Sequence, residues 1–208
     1  MTTPEIPDYR TAEEKRVADR FPRDVEKHEM TVLHEDGLYR HVRFQQPGTS
    51  IYYFDLITWP GSLAIKGDMD GFMFSRIDDM FAFFRMDGYR VNPTYWSEKI
   101  AGHRNSVMSY SEDVFKTQIF SYLDDVARDE PERAEDVETA RKRVQEAIDD
   151  GDAAYEESVR ELLRELEEEG VVSDSWEWDL RDWDYRFLWN CHAIAWGLQQ
   201  YDAAKKAA

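Results

Sequence analysis

Acid and base side chains that a tight turn would bring face to face are the first candidates for chemistry. Asp55 is the one carboxylate in Ile51 to Trp59, where nearly every other residue is aromatic or β-branched. Pro60-Gly61 follows and dictates a reversal, because Pro presets the first turn torsion and Gly tolerates the second. A two- or four-residue loop then pairs Ile57 with Ala64, Leu56 with Ile65 and Asp55 with Lys66. An acid on a rigid strand opposite a lysine suits two roles, a ligand-binding or catalytic acid and a cross-strand ion pair that fixes register. The second is favoured, because a buried carboxylate without a partner is costly.

The candidate ligand set around that pair is Asp55, Lys66, Asp68, Asp70, Arg76 and His103, with Trp59 as an aromatic wall. Together they would line a small-molecule or nucleotide pocket beside a sheet. Gly67-Asp68-Met69-Asp70-Gly71 lacks the oxygen spacing and distal Glu of an EF-hand loop, so it reads as an ordinary turn. Cys191 and His192 are adjacent, and consecutive helical residues point about 100° apart, which does not suit a nucleophile and its base. A buried structural thiol is expected there. His28, His34, His41 and His103 follow no metal spacing, so neither metal nor cofactor is expected. No Walker loop, dinucleotide fingerprint, His-Glu-x-x-His helix, deaminase signature or Gly-x-Ser-x-Gly elbow occurs. No catalytic residue is therefore assigned, and the enzyme reading stays open without being favoured.

Stepping from these residues to what must hold them, the densest apolar stretch is Ser50 to Ser75, which expects a central strand covered on both faces. Strands are predicted at about 29–34, 38–45, 50–58, 62–66 and 71–75, forming an antiparallel sheet. The first hairpin, about Glu35-Asp36-Gly37, is expected to have a three-residue loop pairing Met30 with Val42 and Leu33 with Tyr39. Thr11 with Glu14 has capping-box spacing for a helix that Pro22 should limit. Ile77, Met80, Phe81 and Phe84 form a helical stripe, Asn92-Pro93 opens a short helix through Ile100, and Ser109 with Glu112 caps another. From Pro131 two helices with narrow apolar stripes, broken at Gly151 and stopped at Gly170, read as an antiparallel helical hairpin. Trp183 to Tyr201 is apolar on two sides, including Trp189 and Trp196, so that helix should be enclosed between the sheet and the hairpin. Core packing is the favoured reading of both tryptophans over a stacking platform for a base. The fold class is α+β. The expected divisions are a tail and short helix at 1–22, a sheet core at 23–128, an acidic hairpin at 129–170 and a closing helix at 171–208.

With 208 residues, 42% of them hydrophobic, the chain can bury a sizeable core. It has no apolar run long enough to span a bilayer and no apolar leader, so a soluble protein is expected. The lone Cys191 excludes an internal disulfide and fits a reducing cytoplasm. The net charge of −18 is concentrated: residues 129–169 hold 17 acids against 6 bases. Such a surface repels phosphates, so direct nucleic-acid binding is not expected and a basic protein partner is. Glu157, Glu161, Glu165 and Glu168 are the candidate partner-binding residues.

The segments YRHVRFQQPGTSIYYFDLITWPGSLAIKGDMDGFMFS and FLWNCHAIAWGLQQYD resemble a widespread group of small proteins encoded by tailed bacteriophages, a group with no established activity. The resemblance covers about half the chain. It implies a phage gene product acting in the bacterial cytoplasm and carries no catalytic residues across. The expected function is an accessory binding protein that engages a host or phage protein, as an inhibitor of a defence or nucleic-acid-handling factor. DNA mimicry by the carboxylates is its specific version. The alternatives are a nucleotide-binding protein or enzyme with a pocket beside the sheet, and a virion or assembly component. The oligomeric state is left open.

Overall fold

A computed structural model describes residues 11–86, 88–102 and 107–207. The fold is α+β and divides into two compact units, one made of residues up to Val107 together with those from Trp183 on, the other of Met108–Asp182. The helix at 112–129 thus belongs with the acidic helices, whereas the sequence reading grouped it with the sheet.

The first unit is built on a five-stranded antiparallel meander: β1 (Glu29–Asp36), β2 (Tyr39–Gln45), β3 (Phe54–Trp59), β4 (Ser62–Gly67) and β5 (Asp70–Ser75), in that spatial order. The apolar β3 is central, as its composition requires. Val42, Phe44, Phe54, Leu56, Leu63, Ile65 and Phe74 alternate onto one face and are wholly buried. The helices of this unit are α1 (Ala12–Asp24), α2 (Met80–Arg85), α3 (Pro93–Ser97) and α7 (Tyr185–Ala207). In α7 the consecutive residues Leu188, Trp189, Asn190 and Cys191 are all buried. Four successive positions span every side of a helix, so α7 is enclosed within this unit. Its Gly197 lies against the sheet, where an added Cβ would meet Leu56 at 3.0 Å and Phe44 at 3.1 Å. Trp189 packs edge-on to Phe21 and Phe54 and donates its indole N–H to Asp24 at 3.1 Å, while Trp196 meets Phe44 edge-on. Trp189 is wholly buried in the core, and Trp196 is half-buried at its edge.

Three local expectations are corrected. The first hairpin turns through two residues, Gly37 and Leu38, and pairs Met30 with Phe44, Val32 with Val42 and His34 with His41. A bulge at Leu33 absorbs the register shift, and Leu33 and Tyr39 are exposed and do not pair. Pro22 lies inside the last turn of α1 and does not end it. The helix opened by Asp79 is shorter than its stripe implied, leaving Ile77 exposed. The pairing of β3 with β4, by contrast, is the one expected: Asp55 with Lys66, Leu56 with Ile65, Ile57 with Ala64.

The second unit contains α4 (Glu112–Asp129), α5 (Ala134–Asp149) and α6 (Glu156–Glu168), with the short strands β6 (Met108–Tyr110) and β7 (Arg181–Trp183) hydrogen-bonded at its two ends. Ser111, not Ser109, caps α4, donating no proton but accepting one from the Val114 N–H. Phe115, Ile119 and Leu123 of α4 join Val137, Ala140 and Val144 of α5 and Val159, Leu163 and Leu166 of α6 in a core of their own. The narrow stripes on α5 and α6 are sufficient because α4 supplies a third wall. Gly151 and Gly170 take left-handed torsions where the helices break, as turns of this kind require. Arg133, just before α5, donates to the Gly170 carbonyl beyond α6, as helices running in opposite directions demand.

Candidate functional site

In β2 the side chains alternate between Val42 and Phe44 on the helix-covered face and His41 and Arg43 on the other. Asp55 and Ile57 of β3 and Lys66 of β4 share that second face, and the register sets Arg43, Asp55 and Lys66 in one row across three strands. Arg43 forms a bidentate pair with Asp55, Nε to Oδ1 at 2.8 Å and Nη2 to Oδ2 at 2.9 Å. His41 Nε2 lies 3.0 Å from Oδ2 and Lys66 Nζ 3.9 Å from it. Beneath these three side chains Asp55 is 0% exposed. Burial pushes its carboxyl up, but the hydrogen bonds and charges of Arg43 and His41 outweigh that and hold it below the ordinary carboxylate value. The Asp55 bond also holds the Arg43 guanidinium above its ordinary value, and its plane lies over the Tyr53 ring at 5.6 Å.

This arrangement commits Asp55. Its oxygens are occupied by fixed donors, so it orients neighbours and locks register and takes no proton from a ligand. A histidine held by a carboxylate is one half of a nucleophile-activating pair. The residues directly in register with His41 are His34 and Ile57, neither of which carries a hydroxyl or thiol. Cys191 is buried and its thiol is pushed well above the ordinary value by burial, which keeps it protonated and unreactive.

The remaining sequence candidates do not converge on Asp55. Asp68 accepts the Tyr52 backbone N–H at 2.8 Å and donates its own N–H to the Tyr53 carbonyl, bracing the loop that enters β3. That loop is strained, with Tyr52 at φ +58°, and it is held further by Arg20, which donates to the Tyr52 hydroxyl, and by His28 against the Tyr52 carbonyl. Gly67 accommodates the same loop, since a Cβ there would stand 2.0 Å from the Tyr53 oxygen. Asp70 pairs with Arg186 at 2.6 Å, Arg76 is exposed, and Trp59 is half-buried beside Ser62. His103 lies outside the described residues. Among the described residues no group of three His, Cys, Asp or Glu side chains is placed to hold a metal ion, and no helix is long and apolar enough to cross a membrane.

Residues 108–182 hold 25 acids against 9 bases, and the rest of the chain 19 against 17. Within the acidic unit the arginines are spent locally. Arg164 binds Glu161, with contacts of 3.1 and 2.5 Å, and also Glu168. Arg143 of α5 reaches Glu165 and, at 2.7 Å, Glu169 of α6. Of the four candidate partner-binding acids, only Glu157 is without an ion pair among the described residues. The spacing of Glu161 and Glu168 about Arg164 is the helical pairing rule and was legible in the sequence. On α5, Glu135, Glu138 and Glu146 are also exposed, carry no ion pair among the described residues, and share one helix face with Lys142.

Compared with known proteins, the chain matches no family model, no curated protein and no solved structure.

Proposed function

We propose that this is a binding protein whose partner is basic and is engaged through the acidic helical unit. The observation that carries the reading is that 25 acids and 9 bases sit in a compact unit with its own apolar core, where Glu135, Glu138 and Glu146 on one face of α5 carry no ion pair among the described residues. An excess of like charge destabilises the fold that bears it, and a cationic partner relieves that cost on binding. Glu135 and Glu138 stand about one turn apart on that face, and Glu146 lies about two turns further on, with Lys142 between. Together with the resemblance to proteins of tailed phages, this favours an accessory factor directed at a host or phage nucleic-acid-handling or defence protein, in the bacterial cytoplasm. On the sheet, by contrast, Asp55 is already saturated by Arg43 and His41, which weakens the reading of a catalytic pocket there.

The test is co-purification of the tagged full chain from a bacterial lysate at low and high salt, with charge reversal of Glu135, Glu138 and Glu146 together. A basic protein retained at low salt, lost at high salt and lost on reversal is the expected result. Retention that ignores both salt and reversal would sink the proposal.

A further inference from the structure

One turn of the acidic unit shows a large apolar side chain to solvent from a backbone tied down by hydrogen bonds on both sides. Trp176 is 73% exposed, within the short 3₁₀ turn Ser175–Glu177. The residues on either side are pinned. The Ser173 N–H donates to the Tyr122 hydroxyl at 3.1 Å, and Ser175 is buried and donates from Oγ to Glu167 at 2.6 Å. Arg160 donates to the carbonyls of Ser175 and Trp178 at 3.3 and 3.1 Å, and Trp178 packs inward beside Tyr122. Asp174, at φ +52°, takes the left-handed torsion that starts the turn. A non-glycine residue in that region and a largely solvated indole are both costs, and they fall within three residues.

We infer that Trp176 is the anchor by which the acidic unit grips a lysine- or arginine-rich protein segment. This rests on the reading of a basic partner and names where that partner is held. The indole face attracts a guanidinium or ammonium group, and the acids beside it, Asp174 and Glu177, complete the recognition of a cation. The one cation tied to the turn, Arg160, is already committed to Glu156 and two backbone carbonyls, so it does not occupy the indole from within. Tyr155, 68% exposed, precedes Glu156 at the start of α6 and offers a second aromatic surface on the segment that Arg160 joins to the turn. A base-stacking role is disfavoured by the same charge, since nucleic acid would bring phosphates to a unit with 25 acids and 9 bases. Because the turn is already ordered, a partner binds it without the entropic cost of immobilising a loop, and interface energy concentrates on such rigid aromatic residues.

The probes are a fluorescein-labelled octa-arginine peptide and a labelled twelve-residue oligo-dT, titrated by anisotropy with the full-length protein at 25 and 150 mM salt. Trp176→Ala is expected to weaken peptide binding about tenfold at both salts, while Trp176→Phe keeps it within about threefold. Circular dichroism of the variants checks that the helices are intact. Equal peptide affinity for wild type and Trp176→Ala overturns the anchor while leaving the acidic-surface reading in place. If the wild-type protein binds no peptide even at 25 mM salt, the basic-partner reading itself fails. Trp176-dependent binding of the oligo-dT would overturn the inference in favour of a stacking platform.

Discussion

The two units use the same carboxylates for opposite ends. In the sheet unit acids nearly balance bases, and three of them are drawn into the fold: Asp55 beneath Arg43 and His41, Asp79 bidentate to Arg40, and Asp202 held by Arg85 and the Tyr89 hydroxyl. The Arg40 and Arg85 guanidinium groups both lie over the Phe81 ring, at 4.8 and 5.6 Å, so even the cations are packed. In the helical unit acids are many, and their pairs lie on the surface, where screening and side-chain entropy leave each contributing little. Charge in one unit specifies structure; in the other it is a surplus, held by a core that does not need it.

The contrast breaks most directly at Asp55. Asp55→Ala leaves Arg43 and His41 facing an emptied, buried site, and is expected to cost about 3 kcal/mol in a urea unfolding titration, as removal of one member of a buried pair does. A loss below 1 kcal/mol would mean that the cluster is a surface pair after all.

Acid sharpens the same difference. Burial raises the carboxyls of Asp55, Asp79 and Asp202, but their arginine partners outweigh it and hold all three below the ordinary value. Glu35 is lowered too, chiefly by its bond from Lys205. Groups depressed in the folded state contribute stability that is present above their unfolded value, about 4, and is lost as pH falls through the folded values. Amide exchange read by mass spectrometry at pH 3 is therefore expected to open β2 and β3 before α5 and α6. Loss of the helical unit first would reverse the assignment of roles.

Salt should act the other way round and more weakly. Raising it from 20 to 500 mM screens the repulsion among the acids of α5 and α6 and slows exchange in those helices, with little change in β3. The smallest effect is expected from Glu161→Ala, whose exposed partner Arg164 keeps Glu168. Its thermal midpoint should be indistinguishable from that of the parent, and a clear drop would show that the surface pairs are structural.

How far the sequence alone foretold this follows from which interactions are local. The β3–β4 register was legible because Pro60-Gly61 leaves few ways to turn, and it placed Lys66 opposite Asp55 correctly. The stronger partners of Asp55 were not legible. Arg43 and His41 reach it from β2 across an eight-residue loop, Gln46 to Tyr53, whose shape depends on the left-handed Tyr52 and its support from Arg20, His28 and Asp68. The alternation of His41 and Arg43 with Val42 and Phe44 was the available signal, and it gives a face without giving a register. Capping boxes and helix breaks were legible at Thr11, Asn92, Gly151 and Gly170, each within one turn of sequence. The boundary at Val107 was not, since no linker composition marks it and the second unit is set into the first as an insertion.

That insertion has a consequence for synthesis. The helix that covers the sheet, α7, is translated after the whole of residues 108–182, so Phe44, Phe54 and Leu56 leave the ribosome more than a hundred residues before Gly197 and Trp196 arrive to cover them. At about 5–20 residues per second the nascent sheet carries a bare aromatic face for roughly ten seconds, while the helical unit, continuous in sequence and self-contained in its core, is free to fold in the interval. During that window the strongly anionic unit would already be tethered to the unfinished sheet, a built-in solubilising tag present when the exposed face most needs one.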